Sequence, residues 1–156
     1  IKILSGKLKL KGLIVGRKGC PMPKNCDHLL TTTDFLSQKE LINSYRQSKF
    51  VLLPNKTDAS PRVLTEALCT DLPALLNYHI VGGWKYINEK NGVLFKNLDD
   101  IENGAKHILK NIESLEPRKQ YLNNYGKEKS GKILKSFIEN NFSNKISFNN
   151  VDYLTL

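Results

Sequence analysis

The stretch from Asp58 to Pro73, DASPRVLTEALCTDLP, constrains the fold of this chain more than any other. It follows an apolar run, Phe50-Val51-Leu52-Leu53-Pro54, that reads as a buried strand. A short polar loop, Asn55 to Ala59, comes next. Ser60 then offers a helix cap, Pro61 suits a first helical position, and Val63, Leu64, Ala67 and Leu68 recur at helical spacing. Pro73 opens another apolar run, Ala74-Leu75-Leu76. Strand, loop, helix and strand in this order predict an α/β unit with its loop at the carboxyl end of a strand. In open α/β sheets that is where ligands bind.

Two carboxylates bracket the predicted helix start. Asp58 lies in the loop and Glu66 about one and a half turns inside the helix. The unpaired N–H groups of a first turn suit an anion. Ionised carboxylates only accept hydrogen bonds, so they suit paired hydroxyls. One ligand carrying both a phosphate and sugar hydroxyls satisfies all three groups. Lys56 is within reach of such a phosphate or is a solvated loop lysine. Arg62 and Glu66 stand four apart, the spacing of a surface ion pair worth about 0.3–0.5 kcal/mol.

The order acid, seven residues, Glu, with Pro three after the first acid and Ala after the second, resembles the donor-site motif of retaining GT-B glycosyltransferases of family GT4. That family reads E-G-x-P-x-x-x-x-E-A, then small residues and G-x-P. Asp58, Pro61, Glu66, Ala67 and Pro73 stand in register with it. The chain departs at Asp58 for Glu, Ala59 for Gly and Asp71 for Gly. Leu41 to Ser48 and Phe50 to Pro54 resemble the helix and strand that precede the motif in the family. Gly82-Gly83 and Asn91 to Phe95 resemble the segments that follow it. The resemblance spans Leu13 to Phe137.

The resemblance implies the carboxyl-terminal half of a GT-B enzyme: a Rossmann-like parallel sheet flanked by helices, over residues 1–142, with a tail at 143–156. It implies transfer of a hexosyl-type sugar, with retention, from a nucleotide-diphosphate sugar. Asp58 and Glu66 are the expected catalytic-site acids, Glu66 on the ribose hydroxyls and Asp58 on the donor sugar. Ala59, Pro61 and the amides from Ser60 to Leu64, Arg62 and Val63 included, face the phosphates and sugar. The backbone of Leu36 and Ser37 lies beside the base. No cofactor or metal is expected. The amino-terminal acceptor domain would be a separate part, and so would the first strand of this domain. The Leu13–Gly16 strand matches the family's second. Arg17 and Lys18 follow it without matching the family's phosphate-binding basic residues.

Elsewhere the chain gives weaker indications. It starts at Ile1 with its only Met at 22, which suggests a fragment. Three cysteines, an odd number, suggest reduced thiols and a cytoplasmic protein. Cys20, Cys26 and His28 are too far apart, and too few, for a structural zinc site. No run approaches the ~20 apolar residues of a membrane helix. The net charge is +9, but the lysines are spread, which fits solubility better than a nucleic-acid footprint. A non-catalytic nucleotide-sugar-binding module and a basic nucleic-acid-binding domain remain as alternative functions.

Leu29 to Phe35 contains a second short strand, rich in threonine. Ser37 followed by Glu40 reads as a capping box. Trp84 and Tyr86 suit a core, or a nucleotide cover, and His79 is the histidine nearest the site. From Leu98, Ile101, Ala105, Ile108, Leu109 and Ile112 repeat at helical spacing, with Pro117 as a stop. A further helical stretch, Arg118 to Asn141, is expected to break at Gly126 and Gly131.

Overall fold

The computed structural model describes residues 2–16 and 27–142. Arg17, Lys18, Cys20, Cys26 and the 143–156 tail lie outside the described residues. The described chain forms two compact units, which divide between Tyr121 and Leu122.

The first unit is α/β. A six-residue π-helical turn, Lys2–Lys7, leads into β1, Gly12–Val15. Then follow β2 (Leu30–Thr33), α1 (Gln38–Gln47), β3 (Val51–Leu53), α2 (Arg62–Cys69), β4 (Ala74–Asn77), β5 (Gly92–Phe95) and α3 (Leu98–Asn111). All pairings are parallel, as strand–helix alternation predicts. The expected single sheet is instead two: β1 with β2, and β3-β4-β5 in that order. In the first, Gly12 lies opposite Leu30; in the second, Val51 and Gly92 lie opposite Ala74.

The three-stranded sheet is covered on both faces, and its side chains alternate between them. Leu53, Ala74 and Leu76 pack with Leu64 and Leu68 of α2, joined by Ile80. Leu75 and Phe95 pack with Ile101, Ala105 and Ile108 of α3 on the other side. Ile3, Leu4 and Leu8 join that second cluster, and Lys7 Nζ pairs with Glu102 Oε2 of α3 at 3.0 Å. β4 is buried along its whole length, which explains its unbroken ALL run. Leu64, Leu68, Leu75 and Leu76 are fully enclosed. Each such burial contributes about 1.5–3 kcal/mol.

Local chemistry sets the helix ends. Ser37 caps α1, its Oγ accepting from Glu40 N while Glu40 Oε2 accepts from Ser37 N, the capping box that S-x-x-E predicts. Asn97 and Asp100 repeat the arrangement at α3. Pro117, expected as a stop, begins α4 (Pro117–Asn124); α3 has already ended at Asn111, in a 3-10 turn over Ile112–Ser114. Proline is well placed at a helix start because the missing N–H has no partner there anyway.

Asp71 adopts a left-handed backbone, φ 65°, in the turn after α2. A side chain at such a position costs roughly 1–2 kcal/mol. The carboxylate offsets that cost by accepting from Arg118 N, the first N–H of α4 because Pro117 has none, at 3.0 Å. Asp71→Ala keeps the backbone strain and loses the bond. It should destabilise the fold by about 1–2 kcal/mol, whereas Asp71→Gly, relieved of strain, should stay within about 0.5 kcal/mol. Urea denaturation midpoints of the two variants check this.

The second unit contains the end of α4 and α5, Lys127–Phe142. Gly126, at φ 110°, separates the two helices as expected, but α5 runs through Gly131 without a break. Ile133, Leu134 and Phe137 of α5 are exposed. No helix among the described residues is long and apolar enough to cross a membrane.

Candidate functional site

Two loops meet at the carboxyl end of β3 and β4. The first, residues 54–61, follows β3; the second, residues 78–83, follows β4. They are bonded to each other through the backbone: Val81 N donates to Lys56 O at 3.1 Å and Gly82 N to Asp58 O at 3.0 Å. Asn77 anchors both, its Nδ2 donating to Pro54 O and its Oδ1 accepting from His79 N. The Gly-Gly pair serves both purposes open to it. A Cβ at Gly82 would sit 1.9 Å from Ala59 O, and Gly83 turns at φ 90° against Pro61 and Leu64.

Within this frame Asp58 is half-buried, and its Oδ1 accepts from Ser60 N at 3.0 Å. The side chain thus shapes the turn that leads into α2 and keeps its second oxygen for other donors. The helix begins one residue later than the sequence suggests: Pro61 is the cap residue, without a side-chain cap bond, and Ser60 lies outside. Leu64 N and Thr65 N both reach Pro61 O. The amides of Arg62 and Val63 precede them as the orphan donors of the helix start. Leu64 is fully buried, while Val63, expected on the apolar stripe, is 41% exposed. Lys56, Ala59, Ser60 and Arg62 are exposed around the same turn.

Glu66 is half-buried on α2. Its partner is not Arg62: among the described residues no ion pair joins the two. Instead Tyr45 of α1, buried, donates its phenol O–H to Glu66 Oε2 at 3.4 Å. Burial first, then the Glu66 charge and this bond, push the Tyr45 phenol from 10 up to about 12. The neutral phenol is therefore favoured by folding. That stability is complete below pH 10 and is lost as pH rises from about 10 to about 12. Glu66→Gln should bring the Tyr45 titration back toward 10. The check is ultraviolet titration, taking the difference from Tyr45→Phe to isolate this phenol. Sequence separation hid the pair: the two residues are 21 apart.

Leu36 and Ser37 stand after β2, in the other sheet, and the Ser37 hydrogen bonds run to Glu40 and Leu41. The Ser37 amide is already engaged, which leaves Leu36 as the backbone there for a ligand. Trp84, expected in the core, is 53% exposed at the start of a 3-10 turn. Tyr86 does pack against the core, edge-on to Tyr121 at 5.6 Å. His79 is exposed and stacks edge-on against Tyr78 at 5.4 Å. Cys69, at the end of α2, is half-buried, and burial raises its thiol pKa, which disfavours a nucleophilic role. Among the described residues no group of three His, Cys, Asp or Glu could hold a metal ion.

The fold and site define an α/β chain with a carboxylate-flanked helix start at the carboxyl end of a parallel sheet. No protein-family model matches the sequence, and no curated protein matches it.

Proposed function

We propose that this chain is the donor-binding part of a retaining glycosyltransferase of the GT-B type, with a Rossmann-like sheet, and that it binds a nucleotide-diphosphate sugar. The observation that carries the reading is the arrangement around α2. Asp58 stands before the helix, the orphan amides of Arg62 and Val63 open it, and Glu66 follows, its carboxylate 3.4 Å from the Tyr45 phenol. In this reading the amides receive the diphosphate, where the positive end of the helix dipole favours negative charge. Glu66 accepts from the two ribose hydroxyls, and Asp58, through its free oxygen, from a hydroxyl of the sugar. Leu36 offers backbone groups to the base.

The chemistry asked of these residues is orientation and charge stabilisation. The amides and Lys56 hold the diphosphate as its negative charge grows on departure. The carboxylates fix the sugar relative to it. An acceptor domain elsewhere would bring the hydroxyl that receives the sugar, and the exposed apolar residues of α5 suit contact with it. The reading keeps a cytoplasmic location, in line with the odd number of cysteines.

The test is calorimetric titration of the chain with UDP, GDP and ADP in turn. One of the three should bind clearly more tightly than the others. Equal binding of all three, matched by inorganic pyrophosphate, would reduce the site to an unspecific anion site and sink the proposal.

A further inference from the structure

The segment after β4 turns large apolar side chains outward. Tyr78, Val81 and Trp84 are exposed, while Ile80 between them is buried in the α2 cluster. Exposed apolar groups that share one segment mark a place where something binds. Trp84 is the least expected of the three. Tyr86 and Ile87 beside it pack against the core, and Trp84 does not. Among the described residues its indole makes no hydrogen bond and no ring contact.

The backbone beneath these side chains is held fast. Tyr78 N donates to Phe95 O at 2.8 Å, Ile80 N to Asn77 O at 3.2 Å, and Tyr86 N to Gly83 O at 2.9 Å. Val81 N and Gly82 N are bonded to the Asp58 loop. A platform that is already rigid loses little entropy when a ligand settles on it. Gly83 lies against Pro61 and Leu64. Consecutive Cα atoms are about 3.8 Å apart, so Trp84 stands beside the start of α2. Two residues earlier, Gly82 is bonded to Asp58 O. The Asp58 side chain uses Oδ1 for Ser60 N and has Oδ2 unengaged among the described residues.

A flat apolar ring beside a carboxylate meets both needs of a pyranose. The C–H groups of the sugar ring form an apolar face, and they are weakly positive, which suits the negative face of an indole. The hydroxyls project from the rim as donors, which suits an ionised carboxylate. The Asp58 charge repels a second carboxylate on the sugar. A nucleotide base would also stack on indole, but the donor reading sets the base at Leu36, after β2 and at the other sheet. We infer that Trp84 and Asp58 form a subsite for a neutral hexopyranose with equatorial hydroxyls, of the glucose type, and that this is the sugar carried by the donor. The role of that sugar as donor rests on the function proposed above; the subsite itself does not.

Trp84 is the only tryptophan of the chain, so its emission reports on the subsite directly. Excitation at the red edge of indole absorption avoids the bases. The preferred nucleotide diphosphate should leave the emission unchanged. Its glucosyl ester should shift the emission to the blue, to saturation. In calorimetry Trp84→Ala should weaken the glucosyl ester about tenfold and the bare nucleotide less than about twofold, with Trp84→Phe keeping most of the affinity. The glucuronosyl ester should bind at least about tenfold more weakly than the glucosyl ester. Equal loss of nucleotide and glucosyl ester in Trp84→Ala, loss of neither, or glucuronosyl binding as tight as glucosyl overturns the inference. So does an emission shift with the nucleotide alone, which would make Trp84 a cover for the base. If no nucleotide binds, the donor reading fails by itself, and methyl glucoside decides the subsite. Asp58→Asn keeps an acceptor for Ser60 N and loses the second one. A saturable emission shift with the glucoside, weakened about fivefold or more by Asp58→Asn, supports the subsite. No shift, or a shift indifferent to Asp58→Asn, overturns it.

Discussion

Glu66→Ala should weaken binding of the preferred nucleotide diphosphate by about 100-fold while leaving the fold intact. Hydrogen bonds to a charged group contribute about 1.5–3 kcal/mol each, and 1.4 kcal/mol is tenfold in affinity. Losing the acceptor of two hydroxyls therefore removes at least one order of magnitude and is expected to remove two. The fold should tolerate the change because Glu66 is only half-buried and α2 is held by Leu64, Ala67 and Leu68 on its other side. Tyr45 would lose its partner, but its long 3.4 Å bond leaves little to lose. The comparison is calorimetric titration of both proteins, with circular dichroism as the check on folding. Glu66→Gln should sit between the two, since an amide oxygen still accepts.

The second large effect lies away from any ligand-contacting side chain. Gly82→Ala places a methyl group 1.9 Å from Ala59 O, backbone against backbone, so neither side can yield by a rotamer change. The loops must part, and the Gly82 N to Asp58 O bond parts with them. Overpacking of this kind costs about 1–3 kcal/mol. The loss in function should exceed the loss in stability, because Ala59 stands between Asp58 and the start of α2. Nucleotide binding should fall at least about tenfold at temperatures where the variant is still folded. Thermal melting alongside titration separates the two losses. Gly83→Ala should be milder for the Asp58 loop: its penalty comes from φ 90° and from the flexible ends of Pro61 and Leu64.

Much of this framework was legible in the sequence because it is local. The S-x-x-E of Ser37 and Glu40 carries its own geometry, and the structure has the capping box it describes. Leu64, Ala67 and Leu68 share a face because a helix of 3.6 residues per turn puts them there. The short apolar runs became parallel strands, within a residue or two of their expected ends. What was not legible depends on partners distant in sequence. Nothing near Gly82 says that Ala59 O lies against it. Nothing near Tyr45 says that its hydroxyl meets Glu66. Asp71 takes a left-handed backbone at the position where the family motif has glycine, and its compensation comes from α4, 47 residues on.

The misreadings have physical causes too. Pro117 reads as a stop, yet the same residue favours a start, and only the earlier end of α3 decides between them. Val63 fits an apolar stripe by spacing but sits at its edge, one residue before the fully buried Leu64, and stays 41% exposed. Strand pairing is the least local property of all. The sequence shows five strands in order, but not that they pair as two and three.

The central claim is that the start of α2, between Asp58 and Glu66, receives a nucleotide diphosphate. Amide chemical-shift mapping by NMR, with the preferred nucleotide added in steps, tests it most directly. The account predicts that the largest shifts fall on Ser60, Arg62, Val63 and Leu64, with Gly82 following because its amide is bonded to Asp58 O. Saturable shifts centred elsewhere, or small shifts scattered over the lysines of α5, would contradict it.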